Sequence, residues 1–198
     1  MEYQYHILNK FAVDSIANTL YKLTNTFEKP VFLCIGSDLA IGDSLGPLCG
    51  SILRQEINGY FIYGCLKKPV TAKEIQYINQ FLKEMHPNST IIAIDAAVGH
   101  TNDIGLIKVL NYGIRPGSGV NKKLDTVGDI SIMGIVAERS PYNYSILHAT
   151  RLNLVFSMAK IITESIVKFV SYQQSSSKTL DYFNKKKLNN HKLTTNPQ

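Results

Sequence analysis

The stretch "IGSDLAIGDSLGPLCGSIL", Ile35–Leu53, holds four glycines, two aspartates and one proline in a run that begins and ends apolar. It overlaps "VFLCIG", Val31–Gly36, a short apolar segment of the kind expected for a strand buried on both faces. Beyond the glycines, Leu45, Leu48, Cys49, Ile52 and Leu53 recur at steps of three and four, which places them on one face of a helix beginning near Asp43 and Ser44. Buried strand, glycine turn and amphipathic helix in that order point to an α/β fold.

The flanking sequence repeats the alternation. Upstream, Phe11 to Leu23 has helical periodicity and Pro30 punctuates the chain. Downstream, "YFIYG" reads as a second strand. A helix from Thr71 to Met85 follows, its stripe made of Ile75, Ile78, Phe81, Leu82 and Met85. Thr71 and Glu74 have the spacing of a capping box at its start. "TIIAIDAAV", Thr90–Val98, is a third buried strand, and "IGLIKVL" and "GDISIMGIVA" are a fourth and fifth. One long amphipathic helix is expected from Tyr142 to Val170, with Leu154, Val155, Met158, Ile162, Ile166 and Phe169 inward. The pattern predicts a three-layer α/β sandwich: a mainly parallel, mixed sheet with helices on both faces. It is read as one domain over residues 1–172, followed by a basic polar tail, 173–198, expected to be disordered.

Bulk composition narrows the function classes. A chain of 198 residues that is 44% hydrophobic buries a sizeable core without a disulfide or metal staple. The formal charge of +6 sits mostly in the tail, which carries five lysines and one aspartate, so the body offers no specific nucleic-acid surface. Cys34, Cys49 and Cys65 lie among apolar residues with no C-x-x-C pair, as core-filling thiols of a reducing compartment do. The N-terminus lacks a basic region followed by an apolar stretch, and no run reaches the ~18 apolar residues of a membrane span. A cytoplasmic location is expected.

In parallel sheets, ligands and chemistry collect at the carboxyl ends of the strands. Asp95 ends the apolar strand "IIAID", and Asp43 follows the loop "GSDLAIG" leaving the first strand. If those strands are neighbours, both carboxylates emerge at one sheet edge, where they could act as an acid–base pair or hold a divalent cation. The plainer roles are a helix N-cap for Asp43 and a strand-end cap through loop amides for Asp95. A phosphate cradle fits poorly. There is no G-x-x-x-x-G-K-[ST], the glycines do not match G-x-G-x-x-G, and an acidic residue stands at the helix entrance.

"RPGSGVNKK", Arg115–Lys123, is a tight loop whose Gly117, Ser118, Gly119 and Asn121 could hydrogen-bond a peptide carbonyl or an oxyanion, or simply connect two elements. Ser44 and Ser118 have no His and Asp in a triad-like order. His100, five residues past Asp95, and His148, near the start of the long helix, read equally well as surface or packing residues.

Assembled, "GSDLAIGDSLGPL", "IIAIDAAVG", "PGSGVNKKLDTVGDISIMGIV" and "TRLNLVFSMAKII" resemble the YyaC family of sporulation proteins, in the family's order and over roughly Pro30 to Val170. The same framework resembles the spore germination protease and the hydrogenase maturation endopeptidases. The resemblance implies their three-layer fold. In the germination protease a loop ending in D-A-L-G-P and a strand ending in I-D-A each supply a catalytic aspartate, and these match Asp43 and Asp95. Its P-G-S-G-V stretch matches Pro116 to Val120. The maturation endopeptidases add a downstream histidine to two acidic residues and grip nickel, whereas Gly113 to Glu138 contains no histidine here. The resemblance thus implies an endopeptidase of sporulation or germination, cleaving a cytoplasmic protein with Asp43 and Asp95. A divalent metal between the two aspartates is an alternative. So is a non-catalytic binding or regulatory member of the fold. Dimers are a common default for such folds.

Overall fold

A computed structural model describes residues 1–24, 28–116, 126–140 and 143–193. Six strands form one mixed sheet: β1 (Glu2–His6), β2 (Val31–Cys34), β3 (Phe61–Tyr63), β4 (Ile91–Gly99), β5 (Leu106–Leu110) and β6 (Ile130–Glu138). Their order is β1-β5-β6-β4-β2-β3. β3, β2, β4 and β6 are parallel neighbours, while β5 runs antiparallel to β6 and β1 antiparallel to β5. The first strand, β1, is a sixth that the apolar patterning does not announce. Its five residues are half-exposed at the sheet edge, so they need no continuous apolar run.

Strand alternation divides the core in two. Phe32 and Cys34 of β2 and Ile92 and Ile94 of β4 face α1 (Ala12–Leu23), α2 (Leu45–Glu56) and α5 (Leu152–Leu193). Val31, Leu33 and Ala93 face α3 (Ile75–Met85) on the opposite side. Helices therefore cover both faces, as the three-layer pattern requires. Phe32 and Phe169 are fully buried, each contributing about 1.5–3 kcal/mol relative to exposure.

Three helix boundaries differ from the sequence expectation. α3 begins at Ile75, because Thr71 to Glu74 form a turn; the Glu74 carboxylate still accepts from the Thr71 backbone N–H at 2.9 Å, as in a capping box. The long C-terminal helix is two, a short α4 (Asn143–His148) and α5, separated at Ala149–Arg151. There the Thr150 hydroxyl donates to the Ile146 carbonyl at 3.1 Å. α5 then spans 42 residues and passes through the boundary drawn at residue 172. Instead of a disordered tail, the backbone is helical to Leu193, since no glycine or proline interrupts residues 152–193. Among the described residues no helix is long and apolar enough to cross a membrane.

Candidate active site

β2 and β4 are hydrogen-bonded neighbours, and β2 stops first: the Ile35 N–H donates to the Ile94 carbonyl at 2.7 Å, one residue before Asp95. From there the chain turns through Gly36, whose φ of +136° suits glycine. A Cβ at Gly36 would stand 2.1 Å from the Asp43 carbonyl oxygen, which accepts from the Ser37 N–H at 3.1 Å. The loop is thus folded back on itself, with Asp43 in a 3-10 turn (Gly42–Ser44) at the end of β2. Gly46 then seats α2 against the strand, since a Cβ there would lie 2.0 Å from the Ile35 carbonyl oxygen. The glycines of the opening stretch shape a turn and a close helix contact.

Asp43 is not a helix cap. Neither the 3-10 turn nor α2 has a side-chain capping hydrogen bond at its start. Asp95 is the fifth of nine residues in β4, so it does not end the strand. Its Oδ1 accepts from the Ala96 N–H at 2.8 Å. Backbone groups of even-numbered β4 residues point toward β2, as the Thr90 and Ile94 carbonyls do. The Asp95 carboxylate therefore lies at the edge where β2 ends and Asp43 stands.

The charge of Asp43 is felt at Asp95. Asp95 is 8% exposed, and burial, reinforced by the charge of Asp43, pushes its carboxyl well above the ordinary carboxylate range. Asp43 is half-buried, and burial raises it too, with the Ser37 amide pulling the other way. Both line a cavity of about 680 Å³ on the sheet face that α3 leaves uncovered, with Met133 and Ile135 of β6 and Leu110 of β5 as apolar wall. Its charged wall was not anticipated: Arg115 and Arg139 line it, as do Lys108 and Glu2, paired at 3.0 Å. Glu2 comes from the unforeseen β1, Arg115 opens the loop "RPGSGVNKK" but carries no expected role there, and no local motif marks Arg139.

The remaining candidates fall elsewhere. His100 lines the cavity and is exposed, whereas His148 is exposed on α4 and does not line it. The Ser44 hydroxyl is committed to the Ile41 carbonyl at 2.6 Å. Gly117, Ser118, Gly119 and Asn121 lie outside the described residues. All three cysteines are free and buried. Among the described residues no three His, Cys, Asp or Glu side chains gather to hold a metal ion. Two carboxylates alone do not make a three-ligand nickel site.

Residues 4–165 match the family model described as "Protein of unknown function (DUF1256)". The chain is 39% identical over 137 residues to "Uncharacterized protein YyaC" of Bacillus subtilis (strain 168), covering 69% of this chain and 67% of that one. It is also similar to the crystal structure of a NiFe hydrogenase maturation protease, HycI, from Thermococcus kodakarensis KOD1, with a TM-score of 0.48 and 16% identity over 77% of this chain and 99% of that one. With its family model spanning most of the chain and a relative at that identity, the protein belongs to the DUF1256 family, alongside YyaC.

Proposed function

We propose that the protein is an endopeptidase of sporulation or germination that hydrolyses peptide bonds of a cytoplasmic protein, with Asp43 and Asp95 as its acid–base pair. The observation that carries this reading is the meeting of two carboxylates, both pushed up, in one cavity at the carboxyl end of the parallel strands. The sporulation setting is the one implied by the motif resemblance of the opening stretch, "IIAIDAAVG" and the "PGSGV" loop.

The two environments assign the roles. Asp95, more deeply buried and more strongly raised, keeps its proton and donates it toward the scissile carbonyl oxygen. Asp43, nearer solvent, is the carboxylate that takes a proton from the attacking water. Water oxygen bonds to the carbonyl carbon, giving a gem-diol; its C–N bond then breaks as the Asp43 proton passes to the leaving amine and one hydroxyl proton returns to Asp95, leaving a carboxylic acid, an amine and the pair in its starting state. Gly117, Ser118, Gly119 and Asn121 would orient the peptide; Arg115, close before them, lines the cavity.

The test compares proteomes of sporulating cells carrying native protein, Asp43→Asn or Asp95→Asn. One cleavage product lost in both variants is expected, with purified variants slowed by about 10²–10⁴-fold. Cleavage at the native rate by both folded variants would remove the carboxylate mechanism and leave a binding role for the cleft.

A further inference from the structure

β4 outruns its neighbour. β2 pairs with it only as far as Ile94, while on the other side β6 stays paired from Ile92 to Gly99. Among the described residues no strand takes the place of β2 beside Asp95–Gly99. The direction of the backbone groups along this edge follows from the period of two. The carbonyls of Thr90 and Ile94 accept from β2, whereas those of Ile91 and Gly99 accept from Asp129 and Arg139 on the β6 side. Ala96 and Val98 therefore aim their N–H and C=O groups toward the side that β2 has vacated. The Ala96 N–H is taken by the Asp95 carboxylate. Among the described residues nothing bonds the Ala96 carbonyl or either backbone group of Val98, which leaves an open strand edge. Both residues are half-buried and line the same cavity as the two aspartates.

An open run of donors and acceptors inside a cleft has one natural complement, an extended polypeptide backbone. From these observations we infer that β4 binds its peptide substrate by strand addition, the substrate lying along the Ala96–Val98 edge beyond the Gly42–Ser44 turn, which itself packs on β4. This rests on the peptidase reading above and deepens it by naming how the substrate is held. Val98 lies three residues, roughly 10 Å, beyond Asp95, so a peptide laid along Ala96–Val98 runs directly past the carboxylates. Pairing through main-chain groups gives affinity without reading sequence. Alternate substrate side chains then enter the cavity lined by Met133, Ile135 and Arg139, where selectivity arises.

The experiment follows two readouts on the full-length protein mixed with a millimolar pool of randomised decapeptides carrying a fluorophore and quencher. Site-resolved amide exchange reports binding, and fluorescence reports cleavage. The Val98 N–H should exchange on the order of tenfold more slowly with peptide present, while that of Ala97, already facing β6, does not change. Peptides N-methylated at successive positions should lose protection at every second position. Val98→Pro removes the donor without touching the β6 ladder and should abolish that binding; because proline could also disturb the strand, the exchange measurement on the native chain stands independently. An unchanged Val98 exchange rate at saturating peptide, or N-methyl effects without alternation, overturns strand addition. Protection without cleavage removes the peptidase reading and keeps the strand site, whereas cleavage without protection does the reverse.

Discussion

Asp43 stands close enough to Asp95 for its charge to oppose ionisation of the more deeply buried carboxyl. Burial acts on both in the same direction, so the pair should release its two protons above the ordinary value of about 3.9, in two steps belonging to the pair. In the proposed mechanism the active form has Asp43 charged and Asp95 protonated. A plot of kcat/KM against pH should be bell-shaped, its rising limb marking loss of the first proton and its falling limb loss of the second. Both limbs should sit above the usual carboxylate range. A rising limb at the unperturbed value with no fall toward neutral pH would contradict the assignment.

Asp95 should also make the protein less stable than it needs to be. The folded chain keeps the Asp95 proton to higher pH than the unfolded chain does, so the native state binds more protons across that interval. Stability contributed by this group is full below the unfolded value and is lost as pH rises through the folded one. Asn carries no charge at any pH. Asp95→Asn should therefore stabilise the fold at neutral pH by about 1–2 kcal/mol while abolishing activity, with the gain shrinking toward pH 3. Urea midpoints across that pH range measure it; a destabilised variant at pH 7 would mean the carboxylate holds structure rather than function.

The aspartate pair was legible because β2 and β4 are buried on both faces and read as unbroken apolar runs, after which a polar side chain stands out. "VFLCIG" and "TIIAIDAAV" locate both strands, and Gly36 and Gly46 mark the turn and the close helix contact between them. What one strand does to another is harder to read. That Asp95 lies within β4, rather than at its end, depends on β6 continuing to pair as far as Gly99, a long-range match no local pattern encodes. β1 was invisible for a related reason: its pairing with β5 joins residues a hundred or more positions apart, from Glu2↔Leu110 to His6↔Leu106. The helix break at Ala149–Arg151 carries no glycine or proline to announce it.

Gly46 gives the packing a direct test. A methyl group there would meet the Ile35 carbonyl oxygen at 2.0 Å and its nitrogen at 2.7 Å, both backbone atoms of a fully buried position that cannot swing aside. Gly46→Ala should therefore lift α2 from β2 and cost about 1–3 kcal/mol, the usual range for overpacking. The 3-10 turn carrying Asp43 leads directly into α2, so the lifted helix should misplace the carboxylate and lower kcat more than stability alone explains. Leu39→Ala, exposed in the same loop, serves as the control and should stay within about ±0.5 kcal/mol. Thermal melts and single-turnover rates on the two variants separate the effects.

Chelation separates carboxylate from metal chemistry. Asp43 and Asp95 supply two oxygen ligands, and a third protein ligand has no counterpart: among the described residues no three metal-binding side chains converge, and the sequence from Gly113 to Glu138 has no histidine. His100 lines the cavity but lies five residues along the chain from Asp95, roughly 16 Å away if the strand geometry continues. A cation held by two carboxylates and water would exchange readily with solution. Dialysis against EDTA, followed by assay in metal-free buffer, should therefore leave peptide hydrolysis unchanged, and added nickel or zinc should not raise it. If activity instead disappears and returns with one ion alone, the Asp95 proton has no role to play, and both carboxylates become ligands that must be ionised. The pH profile then distinguishes the cases again. A metal site would lose activity on acidification and keep it on the alkaline side, where the acid–base pair requires the rate to fall.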